Sequence, residues 1–343
     1  MAEQVEDSYV SEEEMSDSPS SDGSSEATIV PIPEETEEIE ESSPESSSGQ
    51  GWPNWISSEA TDFRSIFSQQ PQGAFTDVGD PNDWRVYFPS EDDRVCSDYT
   101  SEMFCVYEFL FKELGLRLPF SDFQMAVLHH LDLAPTQLHP NSFAFIRAFE
   151  LTCEYLKIGP TLPLFFHVFH LQRQKTVQGQ FGWVSLKQVK KLFKAFSESI
   201  RTFKGRYYVV EPISDRAKES VYTWAIDRDE EGRPILDERG RMFNRRILKF
   251  RFAWSKEHFN RGTEAYATNP SIMSKEDLEG FQRLSNFVDS FTPAERMTRG
   301  KKPVIDDDGM PVLAPRYIDT AQLLSCSSDQ EAKELLGTLS YAR

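Results

Sequence analysis

The first fifty residues constrain this chain more than any single motif. They hold 16 Asp or Glu and no Lys or Arg. Such a segment has too little apolar surface to offset the entropy of ordering it, and its charges repel one another, so it is expected to be a disordered acidic, Ser-rich tail. The formal net charge of the 343-residue chain is -19; the tail carries sixteen of those charges, which leaves the remainder at -3. Folding is therefore the task of a nearly neutral region beyond residue 50. A polyanion repels phosphates, so the tail itself is not expected to bind nucleic acid or a membrane surface; it can solubilise the chain or compete for a basic surface elsewhere.

Composition changes abruptly after Gly51, where Trp52, Trp55, Phe63, Ile66 and Phe67 bring enough apolar surface to begin a fold. Residues 51–100 read as a loop-rich lead-in with a short strand near Trp84–Phe88. From 101 to 175 the apolar spacing is helical. Met103, Val106, Tyr107, Leu110 and Leu114 form one stripe behind a Ser101 cap. A second helix opens at Pro119 or Ser121, a third at Pro140–Asn141, and Leu164–Leu171 makes a short aromatic fourth. Residues 180–260 read as mixed. A helix capped by Ser185 presents Leu186, Val189, Phe193, Phe196, Ile200 and Phe203, and strands follow at 206–210, 221–226 and 246–254. Leu248, Phe250, Phe252 and Trp254 alternate with Lys249 and Arg251, and two Asp/Glu/Gly/Arg turns sit around Gly232 and Gly240. A capped helix spans 274–291, and 298–343 reads as a linker with a short helix at 329–339. No internal repeat is evident. The fold expected is α+β: a predominantly helical first half of the globular region, then a small antiparallel sheet, with 101–297 as the main domain.

The run from Leu118 to Gln174, with the turn Leu133-Ala-Pro135-Thr-Gln137-Leu138-His-Pro140-Asn141 and the pair Cys153-Glu154, resembles the plant gypsy-type transposon domain family. Gly182-Trp183-Val184 and Lys204-Gly-Arg206-Tyr-Tyr-Val-Val210 are similar to later parts of that family, so the resemblance covers about 100–260. It implies a retrotransposon-derived or captured plant reading frame and carries over no catalytic residue.

Asp215, Asp227 and Glu257 can be assembled into a carboxylate triad for two-metal chemistry, but nothing in the sequence marks them as converging. Asp-Thr-Gly and Asp-Ser-Gly are absent, and Tyr317-Ile-Asp319-Thr320 lacks the second carboxylate of a polymerase hairpin. The stretch from Asp227 to Glu238 approaches a calcium-loop pattern, but its flanks read as strands and Pro234 occupies an apolar position, so an acidic hairpin turn is preferred. His167 and His170 have a helical i, i+3 ligand spacing within an aromatic run, where packing is the better account. Cys96, Cys105, Cys153 and Cys326 form no CxxC pair, which suits free thiols in a reducing compartment. No catalytic residue, metal or cofactor is assigned. The opening residues lack a signal-peptide pattern and the most apolar run is too short to span a bilayer, so a soluble protein of nucleus or cytoplasm is expected, without a membrane partner.

One constellation has the residue types of a binding surface. Lys187, Lys190, Lys191, Lys194 and Arg201 make a stripe on the expected helix, and Lys204, Arg206, Arg241, Arg245, Arg246, Lys249 and Arg251 add positive charge near the strands. Several such contacts can engage phosphates, with Tyr207, Tyr208 and Phe243 as stacking faces. The expectation is a non-enzymatic, retrotransposon-derived interaction protein that binds nucleic acid through this basic helix and strand, or that meets other proteins or itself. A capsid-like assembly role and a metal-dependent nuclease or transposase with unidentified carboxylates are the alternatives.

Overall fold

Two caps set the helical centre. Ser121 closes a reciprocal capping box with Gln124 at the start of one helix, and His139 Nδ1 accepts the Asn141 N–H ahead of Pro140 at the start of the next. A cap of this kind is worth about 1 kcal/mol by satisfying an amide the helix leaves unpaired. Left-handed residues end both helices, Asp132 (φ 57°) and Lys157 (φ 57°). The computed structural model describes residues 53–69, 78–173, 180–197, 200, 202–291, 298–299, 302–303, 305, 308–312 and 316–339. The acidic leader and Arg201 lie outside the described residues.

The chain divides into two units. The larger comprises Trp52–Glu295 and Leu313–Arg343, the smaller Met1–Gly51 and Arg296–Val312. In the larger, α1 (Ser58–Asp62), β1 (Trp84–Tyr87), β2 (Phe104–Tyr107) and α2 (Glu108–Lys112) precede the capped pair α3 (Asp122–Leu131) and α4 (Pro140–Leu156). Next come α5 (Leu162–Val168), β3 (Phe169–Arg173), β4 (Val184–Gln188), β5 (Phe193–Lys194), β6 (Tyr207–Pro212) and α6 (Asp215–Val221). β7 (Tyr222–Ile226), β8 (Asn244–Leu248) and α7 (Lys275–Asp289) follow. In the smaller unit β9 (Thr298–Arg299) and β10 (Lys302–Pro303) form an antiparallel pair. The larger unit ends with β11 (Ile318–Asp319), α8 (Thr320–Leu324) and α9 (Asp329–Leu339).

The core gathers on α4, which packs against α3, α5, α7, α8 and α9. Phe149 on α4 stacks with Phe123 of α3 at 5.7 Å and meets Phe165 of α5 edge-on at 5.1 Å. The main sheet has the order β1-β6-β2, antiparallel throughout. Its central strand explains the run Tyr207-Tyr-Val-Val210, since a strand paired on both sides and covered on both faces wants no polar residue.

The mixed α+β class with small antiparallel sheets is the one observed, and the helical-first order holds in part: α2 to α5 follow one another within 101–175, but β2 precedes them and β3 ends the stretch. The first expected helix opens as β2, and only 108–112 is helical. Phe104 and Cys105 are buried as fully as Val106 and Tyr107, so the run is apolar on every side, as a covered strand requires. The expected helix from Ser185 is absent; β4 and β5 take its place. Val184 and Leu186 face the core in strand register, with Leu186 opposite Leu171 of β3, while Val189 of the expected apolar face is exposed. The Gln188 side chain supplies the turn: its oxygen accepts the Leu192 and Phe193 N–H groups and its amide donates to the Phe193 carbonyl. The fourth expected helix stops at Val168, so His170 lies on a strand and shares no helical face with His167. The 246–254 alternation holds in burial, although the ladder itself ends at Leu248. The helices expected after Ser274 and Asp329 are both present.

Candidate interaction surface

The turn that carried the family resemblance is buried machinery of the fold. Gln137 donates to the Ser255 carbonyl at 2.7 Å and accepts the Ser255 N–H at 3.0 Å, as a neighbouring strand would. Thr136 takes the Trp254 indole N–H at 2.9 Å on its hydroxyl and the Tyr107 hydroxyl at 2.8 Å on its carbonyl. Trp183 in turn donates to Tyr107 at 2.6 Å. Burial pushes the Tyr107 phenol well up, so it stays a neutral relay of two hydrogen bonds. Asn141 ties the start of α4 to both main-chain groups of Ser197, Cys153 is a buried thiol, and Glu154 pairs with Lys333 of α9.

Residues 105–173, from the second residue of β2 to the end of β3, match the family described as "Putative gypsy type transposon". The chain carries a gypsy-type transposon domain. The match stops short of Gly182–Val184 and of β6, where the resemblance was also read. No curated protein and no solved structure matches the chain.

Around this domain the basic candidates scatter. Lys190 pairs with Asp289 at the end of α7 (2.9 Å), Lys194 with Asp319 on β11 (3.3 Å), and Lys191 sits 4.8 Å over the Tyr317 ring. Lys204 bonds Glu59 on α1 and lies 4.5 Å from the Trp183 ring; Arg206 bonds Glu108 on α2. Lys249 and Arg251 reach Asp122 and Asp132 at the two ends of α3. Arg245 pairs with Asp227 at 3.3 Å, Arg246 lies 4.2 Å over Tyr222, and Lys187 is exposed on β4 opposite His170. Seven of these ten described bases thus hold a carboxylate. Burial alone would raise the Glu108 carboxyl, but hydrogen bonds from Arg206, Lys112 and Tyr208 outweigh it and hold that group below its ordinary range. The helical stripe dissolves because its helix is not there.

Asp215 opens α6, Asp227 sits beyond β7 and Glu257 starts a 3-10 turn, three separate elements. Among the described residues no group of three or more His, Cys, Asp or Glu is placed to hold a metal ion. His167 packs edge-on against Phe281 at 4.5 Å. Among the described residues no helix is long and apolar enough to cross a membrane.

What the structure brings together instead is an arm, residues 222–248. β7 and β8 form its stem, with Trp224 opposite Arg246 and Ile226 opposite Asn244. Beyond the stem the chain makes two further hairpins. Asp227 N–H donates to Phe243, Phe243 N–H to Ile235 and Ile235 N–H to Asp227, a closed triangle of main-chain bonds at 2.8–2.9 Å. From it two prongs diverge, bridged at Arg228–Pro234 and Leu236–Met242.

Each prong is turned by the same device. Asp229 accepts the N–H groups of Glu231 and Arg233 on one carboxylate oxygen and the Arg233 guanidinium on the other; Asp237 does the same with Arg239 and Arg241. Gly232 (φ 79°) and Gly240 (φ 74°) take the left-handed position each turn needs. Main-chain hydrogen bonds hold both Asp carboxyls below their ordinary range. Asp229, a carboxylate of the calcium-like pattern, is thus already engaged by arginine and amide. The arm therefore contains an eight-residue repeat, Asp-Glu-x-Gly-Arg at 229 and 237, which is not evident in the sequence because two copies separated only by Pro234, Ile235 and Leu236 read as ordinary turns.

No residue of the arm is buried. Yet six of the twelve large apolar side chains exposed among the described residues are on it: Trp224, Ile226, Ile235, Leu236, Met242 and Phe243. Strand alternation sets Trp224, Ile226, Leu236 and Met242 on one face of the arm.

Proposed function

We propose that this chain is a non-enzymatic interaction protein of retrotransposon origin, from a plant reading frame, whose contact surface is the arm at 222–248. One observation carries the reading: half of the large apolar side chains exposed among the described residues gather on an arm that meets the core only at its base, through Tyr222 and Leu248. Exposed apolar residues are commonly scattered singly, and the largest contiguous apolar patch of a protein is often a functional contact surface. A photo-crosslinking residue at Leu236 in the full chain, compared with one at Lys187, tests it. Protein adducts are expected at 236 in clear excess; equal yields at the two positions would sink the reading.

Nucleic acid is the second reading, favoured by Lys187, Lys191 and Arg246, which hold no ion pair among the described residues. The pairing of the other bases weakens it, since each phosphate contact would first have to displace a carboxylate. A low-salt gel shift decides: binding that disappears when Lys190, Lys191 and Arg246 become Glu supports it, and no shift at low salt ends it.

A further inference from the structure

We infer that the arm's partner is the arm of a second copy of this chain, the two packed face to face about a two-fold axis. The inference rests on the arm being a contact surface, as proposed above, and names what covers it. Three observations carry it.

The first is charge. Along the stem, residues 222–227 and 243–248, Asp227, Arg245 and Arg246 give a net +1. The first prong, 228–234, has Arg228, Asp229, Glu230, Glu231 and Arg233, a net -1. The second, 235–242, has Asp237, Glu238, Arg239 and Arg241 and is neutral. The arm is thus neutral as a whole but polar along its length, which a uniformly charged partner such as nucleic acid does not match and an inverted copy of itself does.

The second is symmetry. The stem and two prongs radiate from the triangle Asp227–Ile235–Phe243, whose members are eight residues apart and equivalently bonded. A two-fold axis along the second prong, in the plane between two arms, lays each stem on the other's first prong and the second prong on itself. Positive then meets negative twice, neutral meets neutral, and the bodies attached to the stems leave in different directions. Such an isologous contact closes at two copies.

The third is area. A specific dimer takes about 800 Å² from each partner. Trp224, Ile226, Leu236 and Met242 are 69, 37, 55 and 53 % exposed, and together leave on the order of 400 Å² in solvent, comparable with the largest apolar patch of a typical monomer. Arg228, Asn244 and Arg246 share that face and supply a polar rim. Two such faces approach to about 10 Å, the spacing of packed sheets.

Sedimentation velocity of the full chain from about 1 to about 100 µM tests the pairing, a range that spans the affinities expected of an interface this small. A monomer–dimer equilibrium is expected. Trp224→Ser should weaken it about tenfold or more, as loss of an aromatic anchor does. Arg246→Glu should weaken it as well, and adding Glu230→Arg to that variant should restore part of the loss. Unchanged thermal melts would show that the body folds in every variant, since all three side chains are exposed. A chain that stays monomeric throughout overturns the inference, and so does a dimer that Trp224→Ser and Arg246→Glu leave intact. A monomer whose residue 236 still cross-links to other proteins sinks the pairing alone, whereas a monomer without such adducts sinks the contact surface too.

Discussion

Replacing Gln137 by leucine isolates the clamp at the centre of the transposon domain. Leucine has nearly the volume of glutamine and keeps the site filled, so what is lost is polar. Gln137 is fully buried and Ser255 almost so, and the Ser255 N–H and carbonyl both depend on the Gln137 amide. A buried group left without its partner costs about 1–3 kcal/mol, so two orphaned groups predict a loss of about 2–6 kcal/mol, reduced if the 250–255 segment relaxes toward water. For a unit of this size each kcal/mol lowers the melting temperature by about 2–4 °C, which places the variant roughly 4–24 °C below the wild type. Urea denaturation followed by tryptophan fluorescence is the assay, since Trp183 and Trp254 sit in the same network. A midpoint change equivalent to less than about 1 kcal/mol would refute the clamp and leave the Pro135–Asn141 turn without a structural account.

Three further outcomes follow from local geometry. The His258 ring is fully buried, and burial, with Arg173 nearby, lowers it to about 4 from its ordinary 6.5. Its neutral form therefore stabilises the fold fully above about pH 6.5, and that contribution falls away as the pH drops toward 4, by up to about 3 kcal/mol; His258→Leu should flatten the pH dependence of the urea midpoint over that window. A methyl group at Gly280 would come within 2.8 Å of Ile158 Cγ2 and 3.3 Å of Leu164 Cδ2. Gly280→Ala should then lower stability by about 1–2 kcal/mol in thermal unfolding, because overpacking exceeds the helix-propensity gain. Asp229→Ala should speed amide exchange at 231–233 while leaving 239–241 and the melting of the body unchanged; equal protection in both prongs would show that the carboxylate does not turn the chain.

The parts of the fold that were legible in the sequence are those where one signal acts alone. Ser121, His139–Pro140 and Ser274 mark helix starts by local chemistry that no distant partner overrides. The run at 184–203 misled because Leu186, Val189, Phe193 and Phe196 fit a helical period, whereas the strand is selected by β3, whose partner residues lie 11 to 19 positions upstream, and the turn by the Gln188 amide. The basic surface was legible as residue types but not as a place: Lys190 and Lys194 meet their acids 99 and 125 residues away. Nothing close to Lys190 or Lys194 in sequence marks Asp289 or Asp319 as their partners. The arm's turns were legible individually, and its apolar face was not, because the alternation is interrupted by each prong and resumes only after the triangle is closed.

The buried clamp also bears on what the matched stretch can do apart from its surroundings. Residues 105–173 include β2 and β3, whose partners β6 and β4 both lie downstream of the match, and the turn whose carbonyl and amide needs are met by Ser255 and Trp254. Cut out, that stretch would present two bare strand edges and an unfilled polar centre, a recipe for aggregation. The domain is thus not a cassette that recombination can move intact. Wherever this segment occurs in a folded chain, strands and a tryptophan-bearing loop must be supplied from outside it, and they are where a relative with a different flank would have to compensate.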